Sequence, residues 1–294
     1  MLNFPISYKN GNASIKLEAD GTRYVECEGN LKLDYPLNID VRLSRRCSFG
    51  KSPTGKSVCH FCHESATTDG KDATFADIDN AMKFLADLPL GTEIAVGVNE
   101  FTAQVGYFLK RCYELGFVAN VTVNQGHISK YYHQILTEVQ CDRIKGLGIS
   151  YRSHAKDIPA HLLDYQNTVV HVIAGIDSIE EIKKLALKGV HKILVLGEKD
   201  FGFNEGKVKL KSASHRQWYK QIHELFKLFD VVSFDNLALQ QLNVKRFVKD
   251  WETMYQHEFS FYVNVVDGTF SPSSRSTDVV PMCDIKKYFA ELTK

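Results

Sequence analysis

The sequence predicts an α/β protein: a partial (β/α)6, TIM-like barrel with a small N-terminal β appendage and a C-terminal β-hairpin. Short apolar runs alternate with amphipathic stretches at roughly 20 to 30 residues per unit, the rhythm of repeated βα pairs. The runs are short and apolar, as in a parallel sheet covered by helices.

Residues 1–36 form the appendage. Asp20-Gly21 separates the alternating runs Ala13–Leu17 and Tyr24–Cys27, a hairpin signature. The barrel-like core spans residues 37–258. Ile39–Leu43 is its first strand, and Thr74–Leu88 its first helix, with Ile78, Met82 and Leu85 at helical spacing. Strands then follow at Glu93–Val98, Val118–Val123, Gly148–Tyr151, Val169–Ala174, Lys192–Leu196 and Val231–Phe234. Between them lie helices at Thr102–Leu115, stopped by Gly116, Tyr131–Val139, Ser178–Leu187, ended by Gly189, and Ser214–Phe229. Residues 259–294 hold the hairpin, turned by Asp267-Gly268, and a tail packed on the core. Ligands of such sheets gather at the carboxyl ends of the strands.

The 294 residues are 44% apolar and 24% charged, with a formal net charge of +1. That balance gives no bulk argument for nucleic acid or a membrane surface, although it leaves room for a local basic patch. No stretch reaches the ~18 to 20 apolar residues of a membrane span, and no signal peptide is visible, so a cytoplasmic location is expected. Seven cysteines, an odd number, fit a reducing compartment better than a disulfide framework. Cys27, Cys112, Cys141 and Cys283 stand alone and read as small hydrophobes.

Cys47, Cys59 and Cys62 cluster between the first strand and first helix, where several motifs overlap. Gly50–Ser57 spells a phosphate-binding loop, which requires a helix to begin directly after it; Val58–Gly70 is a poor helix former. Cys59-His60-Phe61-Cys62-His63 spells a haem attachment site, a device of exported proteins. A dithiol pair would leave Cys47 without a role. Structural zinc, held by the three cysteines with His60 or His63, is a serious alternative. The reading that accounts for the shortage of a fourth ligand is a [4Fe-4S] cluster with one open iron.

The run from Cys59 to Lys71, with its Cys-x-Phe-Cys-His-Glu start, resembles radical S-adenosylmethionine (SAM) proteins, in particular an uncharacterised group often encoded by bacteriophages. Ser233–Ala238 with Gln241-Leu242 resembles the same group, and the likeness spans about Pro36 to Ser276. Eleven residues separate Cys47 from Cys59, where the family most often has three; lengthening a surface loop costs little closure entropy.

The resemblance implies that the cysteines are cluster ligands, that SAM is cleaved reductively to a 5′-deoxyadenosyl radical, and that this radical abstracts hydrogen from a substrate the sequence does not name. It also implies a low-potential electron donor such as a flavodoxin or ferredoxin. Gly97 and Glu100 stand where the family's Gly-Gly-Glu-type turn holds the methionyl group. Asn124 and Ser150 stand at strand ends facing the cofactor cleft, and Val170–Ile176 where the adenine would pack. His171 is expected to be a core histidine; Gly197–Asp200 stands where substrate or cofactor would be met, with a solvated loop the alternative reading of Lys199 and Asp200. His60, His63 and Glu64 read either as supporting groups or as exposed loop polars. A non-catalytic zinc module and a P-loop hydrolase remain the rival readings.

Overall fold

The computed structural model describes residues 3–249, 251 and 259–293; the expected boundary at residue 258 lies outside the described residues. Alternation in the first residues gives β1 (Ile6–Asn10), β2 (Ala13–Leu17) and β3 (Arg23–Cys27), an antiparallel three-stranded sheet. Gly11 and Gly21 turn its two hairpins with φ of +60° and +87°, where only glycine is unstrained.

The core then lays down β4 (Asn38–Arg42), β5 (Arg46–Lys51), α1 (Phe75–Leu85), β6 (Glu93–Val98), α2 (Ala103–Glu114), β7 (Val118–Asn124), α3 (Gln125–Gln140) and β8 (Gly146–Ser150). It continues through α4 (Ala160–Leu163), β9 (Thr168–Ile173), α5 (Ile179–Leu185), β10 (Lys192–Leu196), α6 (Ala213–Leu225), β11 (Val231–Phe234) and α7 (Asn236–Gln241). The described chain ends with β12 (Ser260–Asn264), β13 (Thr269–Ser271), β14 (Val280–Pro281) and α8 (Ile285–Leu292).

Ten strands form one large, mostly parallel sheet in the order β11-β10-β9-β8-β7-β6-β4-β12-β13-β14. This is an α/β fold, and the order does not return on itself, so the sheet is not a closed barrel. From β4 to β11 spatial order follows chain order, with β5 set apart in the loop above. Beyond β4 lies β12, parallel to it with Tyr262 opposite Asp40 and Asn264 opposite Arg42. The terminal hairpin is therefore an integral edge of the sheet.

Alternate strand residues point to opposite faces. Ile39, Val41, Ile94, Val96, Val121 and Ile149 are buried beneath the helices, in a core continued by Phe108, Phe261 and Phe289. A second cluster packs β9–β11 around fully buried Trp218, whose indole N–H donates to Asp177 O at 2.7 Å. The other face is polar and half-exposed.

The small sheet sits across the amino ends of these strands. Arg23 forms an ion pair with Glu93, Asn167 Nδ2 donates to Ala19 O at 2.9 Å, and Ile6 packs on Gly91. The largest departure from the sequence reading is α3, which begins at Gln125, well before Tyr131. Asn124 caps it by accepting from Gly126 N–H at 2.9 Å. Among the described residues, no helix is long and apolar enough to cross a membrane.

Candidate cluster and cofactor site

β5 carries Cys47 above the carboxyl end of β4 and runs beside the returning chain: Lys51 N–H donates to Ala66 O at 3.0 Å, and Thr67 N–H to Arg45 O at 3.0 Å. Their approach is so close that a Cβ on Gly50 would lie 2.4 Å from Ala66 O. Residues 52–57 leave this pair as an exposed turn, pinched at its base by Ser52 N–H to Lys56 O at 2.7 Å. Val58 and Cys59 N–H then both reach back to Phe49 O, at 3.2 and 3.1 Å. Cys62 N–H closes one turn onto Cys59 O at 3.0 Å. The long spacing is thus folded away, and all three cysteines line one wall of a cavity. It has a volume of about 380 Å³.

The same geometry removes the conditions for a phosphate loop: Gly50–Ser57 is a strand end and a turn, and the next α-helix starts at Phe75.

Burial, opposed by the Phe49 N–H and reinforced by the neighbouring thiols, pushes Cys47 up to about 11. Burial raises Cys62 as well. Cys47 and Cys62 hold their protons unless positive charge arrives, and bound metal inverts that preference. The three thiols share one cavity, yet among the described residues no three His, Cys, Asp or Glu side chains are gathered closely enough to hold a single metal ion. His60 is exposed beside Phe61, and His63 turns toward Glu64, 3.4 Å away, and Phe201.

Asn124 and Ser150 line the cavity, and Asn124 Nδ2 lies 3.8 Å from Cys59 Sγ. Gly97 faces it with no atom within 4 Å of an added Cβ, so the β6 backbone is open to a ligand. Glu100 lies elsewhere. It is 4% exposed behind Cys47, where its carboxylate accepts from Ser48 N–H at 2.8 Å, Lys130 Nζ at 3.2 Å and the Tyr131 hydroxyl. Burial would raise this carboxyl, but those donors outweigh it and hold it down to about 2. Its place is in fixing the backbone next to Cys47.

One expectation is corrected. His171 faces the cavity, over Gly148, whose missing Cβ would sit 2.6 Å from its ring; burial brings it down to about 4, so the ring is neutral. Lys199 also lines the cavity, while Asp200 is exposed and accepts from Gly206 N–H at 2.7 Å.

The sequence reading missed Asp40, Arg42, Arg152 and Tyr262 on the cavity wall. Arg42 donates to Glu64 O at 2.8 Å, and the Tyr262 hydroxyl to Glu64 Oε2 at 3.3 Å. A signal for the first two exists: Asp40 and Arg42 alternate with buried Ile39 and Val41, giving β4 one polar face.

Three solved structures share this architecture. SuiB of Streptococcus suis bound to S-adenosylmethionine matches with a TM-score of 0.58 and 15% identity, over 87% of this chain and 64% of that one. The fold is therefore shared with a protein seen bound to S-adenosylmethionine. A further SuiB structure gives 0.55 and 15%, over 82% and 60%. The radical SAM protein anSMEcpe with bound AdoMet gives 0.53 and 12%, over 87% and 81%. The chain thus spans less than two thirds of SuiB. No family model and no curated protein matches the sequence.

Proposed function

We propose that the protein is a radical SAM enzyme, with Cys47, Cys59 and Cys62 as ligands of a [4Fe-4S] cluster and S-adenosylmethionine in the adjoining cavity. The observation that carries this is the convergence of three thiols, from a loop above β4, on a cavity walled by the carboxyl ends of β4 and β6–β10. Such a wall supports the partial-barrel reading as well. When spatial order follows chain order, right-handed crossovers put every helix on one face, and the sheet curls away from them.

When bound and reduced, the cluster supplies the electron that cleaves the sulfonium of SAM to a 5′-deoxyadenosyl radical. The chain's own residues bind and shield. Gly97 leaves its strand backbone open to the methionyl end, with Asn124 and Ser150 offering hydrogen bonds beside it. Ile173, Ile176 and Leu196 supply an apolar wall suited to adenine. Glu100 holds the Ser48 amide and with it the peptide preceding it. Phe61, with the Arg152 guanidinium 4.8 Å from its ring centroid, screens the mouth from water. A low-potential donor such as a flavodoxin or ferredoxin completes the cytoplasmic system.

Anaerobic reconstitution tests the proposal. Brown protein absorbing near ~400 nm, which forms 5′-deoxyadenosine from SAM after reduction with dithionite, is the expected result. Full cluster occupancy without that product would overturn it.

A further inference from the structure

Next to cavity-lining Gly50, His63, Lys199 and Ser274 lie cations resting on aromatic rings. The loop after β10 packs on the cysteine turn: Phe203 N–H donates to Cys62 O at 3.0 Å, and a Cβ on Gly202 would lie 2.4 Å from His63 O. This sets Phe201 and Phe203 at the rim. Lys51 Nζ lies 5.6 Å from the Phe203 ring centroid, Arg275 Cζ 5.1 Å and Lys199 Nζ 5.8 Å from that of Phe201. Lys207 reaches the Phe203 carbonyl.

Ion pairing separates these cations from their neighbours. Arg42, Arg45 and Arg46, at the base of the cysteine loop, are paired with Glu64, Asp267 and Asp72. Among the described residues, no ion pair is formed by Lys51, Lys199, Lys207 or Arg275. The acids of the same loop form no ion pair with them: the Glu198 carboxylate lies 2.8 Å from His215 Nε2, Asp200 accepts from Gly206 N–H, and Glu205 points to solvent. Cations held on π-faces without carboxylate partners are left available to an external anion.

Size adds a second argument. About 380 Å³ lies near the lower end of the ~300–1,000 Å³ typical of a site for one small ligand. With SAM inside, only a fragment of the substrate fits, and the remainder must rest on the rim.

We infer that the substrate is a single strand of nucleic acid, its phosphates on Lys51, Lys207 and Arg275 and one nucleotide turned into the cavity. This rests on the radical SAM reading for the chemistry but not for the binding. Flexible phosphate chains favour cations interleaved with aromatic platforms, and a base must leave a duplex to reach an enclosed site, so the reacting unit enters unpaired.

Fluorescence anisotropy with a labelled single-stranded oligonucleotide tests it, on anaerobically purified protein with and without cluster. Three phosphate contacts weaken binding roughly twenty-fold between about 50 and 200 mM salt. The triple change Lys51→Glu, Lys207→Glu, Arg275→Glu should flatten the log–log salt slope by about 2. Lys83→Glu, a charge reversal on the exposed side of α1, should leave it unchanged. No binding at low salt, a slope indifferent to the triple change, or equal competition by poly-glutamate or inorganic phosphate would each overturn the inference. Oligonucleotide binding by protein that makes no 5′-deoxyadenosine would leave it standing and strike only the radical reading.

Discussion

The two ends of the parallel sheet are both polar, yet their polar groups are employed differently. At the amino end, Glu93 takes the Arg23 guanidinium and also accepts from Asn120 Nδ2 at 2.9 Å, while the small sheet covers both. At the carboxyl end, Asp40 faces the cavity; burial raises its carboxyl and Lys199 opposes the rise without forming an ion pair. His171 points into the same space. Polar groups paired and covered by the small sheet mark the amino end, whereas Asp40 and His171, open to the cavity, mark the end where a ligand can sit.

Removing a thiol should give the largest effect. Cys62→Ala is expected to reduce 5′-deoxyadenosine formation to background while thermal unfolding stays near wild type, since the thiol faces the cavity. A collapse of the fold would instead make Cys62 structural and blur the contrast between the two ends.

Next comes Glu100. Its carboxyl is depressed in the folded protein from 4.5 to about 2, so its contribution, about 3 kcal/mol, is complete above pH 4.5 and fades as pH falls toward 2. Urea unfolding at pH 7 and pH 3 should show the wild type losing roughly 2 kcal/mol more than Glu100→Gln. Equal losses would remove Glu100 from the support of the cysteine loop.

Gly50→Ala drives a methyl into the Ala66 carbonyl and should cost about 2 kcal/mol, together with lower cluster occupancy measured by iron content. At the closed end, Arg23→Met should cost about 1–2 kcal/mol with iron content unchanged; a fall in iron would mean that the two ends are coupled. Lys56→Ala, in the exposed turn, should shift stability by less than about 0.5 kcal/mol. Any loss of nucleotide hydrolysis in that variant would revive the phosphate-loop reading.

Much of the frame was legible from local chemistry. Lys192–Leu196 and Val231–Phe234 are strands with the bounds expected, because apolar β-branched runs between turn residues have one good conformation. The start of α3 was hidden because Gly126, His127 and Ser129 break its apolar period, although Asn124 was available as a cap. The cysteine loop was legible in composition but not in shape, since the Phe49 carbonyl that gathers Val58 and Cys59 is backbone and leaves no mark in side-chain pattern. Tyr262 was out of reach for a different reason. It meets Asp40 only because β12 pairs beside β4, a long-range choice that no local window contains.

The small antiparallel sheet has a kinetic consequence. With Arg23 locked to Glu93 and Asn167 tied to Ala19, the small sheet covers the amino ends of the large sheet and leaves the carboxyl side as the way in. Whatever enters first is trapped behind whatever enters second. Turnover should therefore follow a compulsory order, with the nucleoside cofactor loading before its reaction partner and its spent fragment departing last. Inhibition by added 5′-deoxyadenosine should accordingly be competitive against SAM alone.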